Sequence, residues 1–254
     1  MQDTSTKSIR VAVAGAKGRM GSETVRAVRA APDMILVAEI HRGDVVSDVL
    51  ANAHPDILVE FSVPESVMEN IRAALAARVI PLIGTTGISE NDRAEIANLC
   101  ETQSTPALIA PNFALGAVLM MRFAAEAACY LPDVEIIEMH HERKLDAPSG
   151  TAARTAEMIA RARRDSGMVP TGSPLGTFET ADGARGGDVA GVPVHSIRLP
   201  GYVASQEVIF GAPGQRLSLR HDSTDRTSFM PGVLLAIRKA HTISGLVVGL
   251  ENLL

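Results

Sequence analysis

The sequence predicts an α/β protein in two parts. A mostly parallel sheet with helices on both faces comes first, and a smaller region built on an antiparallel or mixed sheet follows. Three observations lead there. Short apolar strands alternate with amphipathic helices through the first half. Three strands in the second half are joined by turn residues with no helix between them. The length, 254 residues, suits one large domain or two small ones.

The elements follow in order. IRVAVAGA from Ile9 is a short apolar run rich in β-branched residues, and RMGSETVRAVRAA from Arg19 has helical spacing. MILVAEI from Met34 and DILVEFS from Asp56 read as strands. The helix PESVMENIRAALAARV carries Pro64 in its first turn, where a missing N–H costs nothing. PLIGTT from Pro81, a helix from Glu90 to Cys100, and PALIAPN from Pro106 continue the alternation. GAVLMMRFAAEAACYL from Gly116 is helical and nearly apolar throughout. DVEIIEMHH from Asp133 is a strand ending at two histidines, and TAARTAEMIARARR from Thr151 is a helix. The Gly/Pro/Ser-rich stretch from Ser166 to Gly191 reads as one long loop. VPVHSIRL, VASQEVIFGA and RLSLRHDS are strands. The closing helix FMPGVLLAIRKA from Phe229 and the strand-like GLVVGL from Gly245 are expected to pack back on the first part. The pattern changes near residues 113–116, so the expected domains are 1–114 with 226–254, and 115–225.

Composition excludes several classes of function. A net charge of -5 and a lack of Trp argue against nucleic acid and against an anionic membrane surface. No apolar run is long enough to span a bilayer, and a cytoplasmic location is the expectation. Cys100 and Cys129 have no metal or redox spacing and read as buried thiols of a reducing compartment. There is no HExxH, GxSxG or Walker A run, and no metal site is expected.

GAKGRMG follows the first strand, with glycines at 15, 18 and 21. A pyrophosphate must approach the backbone at a helix N-terminus, where N–H groups and the dipole meet its charge and a Cβ would obstruct it. The GxxGxxG spacing is weaker than GxGxxG and also suits a tight turn with close helix–sheet packing. Its place between a strand and a helix favours a dinucleotide. Lys17 and Arg19 add positive charge. About 20 residues on, the second strand is expected to carry a ribose-binding acid. Glu39 lies near that place, with His41 and Arg42 after it. An acid favours NADH and cations favour NADPH, so the preference stays open. GTTG from Gly84 and APNF from Ala110 place small polar runs at two further strand ends, where a flat ring could approach.

HHERKLDAPSGT from His140 holds the chemistry of proton transfer. A histidine titrates near neutrality, Lys144 is a cation, and Ser149 is a candidate N-cap with Gly150 and Thr151 in the first helical turn. In regular pleat His140 and His141 would face opposite sides, so both reach one pocket only through a bend or a loop onset. The combination suits an anionic substrate protonated near its charge.

GAKGRMG, GTTG, APNFALGAV and above all EMHHERKLDAPSGTA resemble the 4-hydroxy-tetrahydrodipicolinate (dihydrodipicolinate) reductases. The likeness runs through RHDSTDRTSFMPGVLLAIRKA in the final helix. The resemblance implies a Rossmann-like N-terminal domain binding NADH or NADPH, and a smaller α+β domain that binds substrate and forms a homotetramer. It implies reduction of a small cyclic dicarboxylate with loss of water, in lysine and diaminopimelate biosynthesis. On this chain it would make His140 the general acid and Lys144 a second proton donor. His141, Ser149, Gly150 and Thr151 would bind substrate. Gly15, Ala16, Lys17, Gly18, Arg19 and Met20 would take the pyrophosphate region, and His41 and Arg42 the ribose. Gly84, Thr85, Thr86, Ala110, Pro111, Asn112 and Phe113 would line the nicotinamide side. Relatives leaning to NADH tend to carry an acid where this chain has His41. Two other readings share these features: another small-acid dehydrogenase, such as one acting on aspartate, and a nucleotide-sensing regulator without catalysis. The intact histidine–lysine set counts against the second.

Overall fold

The computed structural model describes residues 8–85, 87–171 and 179–254. The backbone divides into two compact units, one running through Ala114 and resuming at Arg226–Leu254, the other Leu115–Asp225.

The first unit is a six-stranded parallel sheet. Its strands are β1 (Ile9–Ala14), β2 (Met34–Ile40), β3 (Ile57–Glu60), β4 (Ile80–Ile83), β5 (Ala107–Ile109) and β11 (Leu246–Val248), in the order β11-β5-β4-β3-β1-β2. Helices α1 (Arg19–Ala30), α2 (Val46–Ala53), α3 (Pro64–Ala76), α4 (Glu90–Gln103) and α7 (Met230–Lys239) belong to it. β3 and β4 are buried at every residue, which is why they read as continuous apolar runs and not as alternation. α1 turns Gly21, Thr24, Val25 and Val28 inward at three- and four-residue spacing. α4 begins with a capping box between Ser89 and Asp92. Helix α2 is absent from the sequence reading. Its valines favour strands, no side chain caps it, and it ends after one short run at His54 in the left-handed region. The strand order reverses between β1 and β3, so the crevice beyond their carboxyl ends is the switch point where α/β folds bind ligands.

The second unit holds a mixed five-stranded sheet. It comprises β6 (Asp133–His140), β7 (Gly187–Val189), β8 (Val192–Arg198), β9 (Ala204–Ala212) and β10 (Gln215–Ser223), in the order β10-β9-β6-β8-β7. β6 and β8 are parallel; the other pairs are antiparallel. Helices α5 (Leu115–Ala127) and α6 (Gly150–Ser166) cover one face through Met120, Ala124, Ala152, Ala156 and Ile159. Ile136, Val194, Val208 and Phe210 meet them from the sheet. Burying side chains of this kind stabilises by roughly 1.5–3 kcal/mol each.

Two expectations need correction, and one is resolved. The stretch expected as one loop from Ser166 to Gly191 contains β7, a three-residue strand too short and too glycine-rich to show a period. β6 stops at His140 and His141 begins the following loop, the loop onset that the sequence reading names as the exception to the pleat. Cys129 is only half-buried, beyond the end of α5, with its thiol donating to the Ala125 and Ala162 carbonyls. Cys100 is buried, and burial pushes its thiol up to about 11.

Candidate active site

In the first unit, the predicted coenzyme residues gather along the carboxyl edge of the sheet. Gly15 to Gly18 form the turn after β1, and Arg19 and Met20 open α1. His41 and Arg42 follow β2, Gly84 and Thr85 follow β4, and Ala110 to Phe113 follow β5. Thr86 lies outside the described residues. Backbone bonds lace these ends together. The N–H groups of Gly15 and Ala16 donate to the Ile40 carbonyl at 3.1 and 3.3 Å, and Phe61 donates to Ala14 at 3.1 Å. Gly84 donates to Glu60 at 3.0 Å, and Ala110 to Ile83 at 2.9 Å.

The glycines differ in what demands them. Gly15 has φ +70°, and a Cβ there would stand 2.3 Å from the Phe61 carbonyl oxygen. A Cβ on Gly21 would stand 2.1 Å from the Gly15 oxygen. Close packing within the unit therefore explains both. Gly18 is the N-cap of α1; no side chain caps that helix and its first turn carries no acid. The exposed Lys17 and Arg19 flank this start, an arrangement that fits an anionic diphosphate. At the tip of β2, Glu39 is taken by Arg29 at 2.5 Å. The His41 N–H donates to Asp44 at 2.7 Å, while the His41 Nδ1 is buried and has no hydrogen-bond partner among the described residues. Arg42 is exposed. The Arg42 guanidinium is thus more available than the Glu39 carboxylate.

Sequence reasoning missed Glu60. It is fully buried at the end of β3, accepting from the Ser62 N–H at 2.6 Å and the Asn70 amide at 2.8 Å, with the Thr85 hydroxyl at 3.4 Å. Burial raises its pKa above the ordinary carboxylate value, and these donors do not offset it. An acid closing the apolar run ILVE is the signal that could have revealed it. The aromatic character of the nicotinamide-side runs was also underread: Phe61 and Phe113 meet edge-to-face at 5.7 Å, and Gly84 is small because a Cβ would strike both rings.

In the second unit, the core row of the sheet changes character along β6. Val194, Ile136 and Val208 lie side by side on β8, β6 and β9; next come Ser196, Glu138 and Gln206; then Arg198, His140 and Ala204. The apolar core therefore ends in a polar layer, and the start of α6 meets it. The Ser149 hydroxyl accepts from Ala152 N–H at 3.2 Å as the N-cap, and its own N–H donates to Glu138 at 3.2 Å. Gln206 donates to the Thr155 hydroxyl at 2.9 Å.

Glu138 is the centre of this layer. His140 Nδ1 lies 2.5 Å from one carboxylate oxygen, and Arg198 donates to both oxygens at 2.7 and 2.9 Å. Burial would raise the Glu138 pKa, but the hydrogen bonds from His140, Arg198 and Ser196 outweigh it and hold the carboxyl at about 2. Lys144 lies in the loop beyond His141, with its ammonium 2.8 Å from both oxygens of Asp146. Burial would raise Asp146 too; the Lys144 cation outweighs it and leaves the carboxyl below its usual range. The Asp146 carbonyl accepts from Arg198 at 2.6 Å, so the loop is tied to the layer. Gly150 and Thr151 open α6 beside it, and a Cβ on Gly150 would meet nothing within 4 Å. Packing among the described residues does not require that glycine.

Comparisons with known proteins bear on both halves. Residues 9–113 match the family described as dihydrodipicolinate reductase, N-terminus, and residues 116–254 match its C-terminus. The chain is 48% identical over 269 residues to a 4-hydroxy-tetrahydrodipicolinate reductase of Desulfitobacterium hafniense, covering 98% of this chain and 99% of that one. It is 51% identical over 247 residues to the same-named protein of Streptomyces coelicolor, covering 97% and 98%. A solved dipicolinate-bound dihydrodipicolinate reductase from Paenisporosarcina sp. TG-14 is 41% identical, with a TM-score of 0.84 over 98% of this chain and 100% of the other.

Proposed function

The chain belongs to the dihydrodipicolinate reductase family, and from that membership we propose how its residues divide the work. The protein is an NAD(P)H-dependent reductase that converts 4-hydroxy-tetrahydrodipicolinate to tetrahydrodipicolinate with loss of water, in lysine and diaminopimelate biosynthesis. The coenzyme supplies the hydride when bound.

The strand ends of the first unit bind that coenzyme. Gly15 to Met20 receive the diphosphate through backbone N–H groups and the positive end of α1, with Lys17 and Arg19 adding charge. His41 and Arg42 meet the ribose. Gly84, Thr85, Thr86 and Ala110 to Phe113 hold the nicotinamide, with the two phenylalanines as its apolar support.

The second unit binds the substrate and supplies protons. The ring carries two carboxylates. Ser149, Gly150 and Thr151 at the start of α6 take one, and Lys144 exchanges Asp146 for the other, with His141 beside it. His140 protonates the ring carbon next to the one that receives hydride. The observation that carries this reading is that the histidine and the N-cap of the anion-binding helix bond to one carboxylate, Glu138. A homotetramer built through the second unit is part of the same reading.

His140→Gln and Lys144→Ala test it. Each is expected to lower turnover by about 10²–10⁴-fold, while the dissociation constant of reduced coenzyme, read by its fluorescence, stays as in the parent. Normal turnover in either variant would remove that residue from its role.

A further inference from the structure

Glu138 has no role in the reading above beyond joining two parts of the site, yet its surroundings are unusually complete. It has no exposed surface, and His140, Arg198, Ser149 and Ser196 all direct hydrogen-bond donors at it. These donors come from its own strand, from β8 and from the start of α6. The carboxylate stays ionised across the working pH range, because those bonds outweigh the cost of burial. An ionised carboxylate only accepts hydrogen bonds. The ring nitrogen 2.5 Å away must therefore carry a proton, and that nitrogen is Nδ1. The two side chains sit two residues apart on one strand, so the pleat points them to the same face. The His140 side chain is 14% exposed, which leaves its far edge within reach of a ligand.

We infer that Glu138 is a positioning residue of the reduction: its carboxylate locks the His140 imidazole with the proton on Nδ1 and leaves Nε2 as the nitrogen that serves the substrate. The functional half of this inference rests on His140 being the proton donor. The step balances simply. The imidazolium gives its Nε2 proton to the ring carbon, a C–H bond forms, and the electron pair of the broken N–H bond stays on Nε2. Nδ1 keeps its proton against Glu138 throughout, so the ring returns as a single neutral tautomer that is ready to be recharged. Arg198 holds the carboxylate from the other side, and the Ser149 N–H ties the same group to the helix start that would grip the substrate. The ring and the anion site thereby share one anchor.

Glu138→Gln is the informative change. An amide of the same shape has one acceptor oxygen and one donor nitrogen, so in either orientation its donor faces Arg198, and with it either His140 or the Ser149 N–H. Histidine-selective ¹⁵N NMR, assigned against His140→Gln, reads the tautomer directly. The expected result is a neutral His140 protonated on Nδ1 in the parent protein and a mixed or reversed tautomer in Glu138→Gln. Turnover should fall about tenfold or more, with the coenzyme dissociation constant unchanged and partial recovery in Glu138→Asp. A parent His140 carrying its proton on Nε2, or the same tautomer in both proteins, would overturn the inference. The parent spectrum alone decides the tautomer if Glu138→Gln does not fold. If the tautomer is as expected but His140→Gln turns over normally, the lock stands and the role proposed for His140 falls.

Discussion

At the scale of single residues, Glu138 ties the proposed protonation chemistry to stability. Its carboxyl sits at about 2 in the folded chain against an ordinary 4.5. A lowered carboxylate contributes stability that is complete above the unfolded value and disappears as pH falls through the folded one. The contribution, on the order of 3 kcal/mol, should therefore drain away between about pH 4.5 and about pH 2. Thermal midpoints of the parent and Glu138→Gln across that window should converge toward the acid end; a constant gap would contradict this. Glu60 has the opposite sign, because a raised carboxylate gives stability at low pH and loses it as pH climbs through its folded value. At this scale the sequence is legible only in part. The histidine pair, Lys144 and the Ser149 cap stand in one short segment. Glu138 is two residues from His140, but its partner Arg198 is 60 residues away, a distance that only strand pairing closes.

At the scale of elements, the proposed binding falls on helix starts and strand tips. Their glycines separate structural need from ligand need. Gly15→Ala puts a Cβ against the Phe61 carbonyl at positive φ and should cost about 2–5 kcal/mol in chemical denaturation. Gly150→Ala meets open space, so stability should move by less than about 0.5 kcal/mol, while KM for the substrate rises. Equal effects of the two on stability would contradict the distinction. At the tip of β2, Arg29 pairs with Glu39 and Arg42 is exposed, so the proposed contact to a ribose phosphate falls to Arg42. Arg42→Ala should weaken NADPH about tenfold in a fluorescence titration while leaving NADH nearly unchanged; equal losses would contradict it. Strands and long helices were legible because their apolar spacing is set by burial. α2 and β7 were not, since eight and three residues respectively hold too little pattern.

At the scale of the whole molecule, the α/β class and its Rossmann-like half follow from alternation alone, because a sheet covered on both faces has few other sequence patterns. The mixed second sheet was legible only as a run of strands without helices; its parallel β6–β8 pair depends on contacts far apart in the chain. Among the described residues no helix is long and apolar enough to cross a membrane. The central claim is that one unit holds a reduced nicotinamide and the other holds and protonates a cyclic dicarboxylate. The most direct test is to mix the purified protein with freshly prepared 4-hydroxy-tetrahydrodipicolinate and follow the absorbance of NADH and of NADPH in separate reactions, identifying the product by mass. The account predicts coenzyme oxidation that depends on the substrate and yields tetrahydrodipicolinate in equal amount. Absence of oxidation with both coenzymes, or oxidation that proceeds without the substrate, would contradict it.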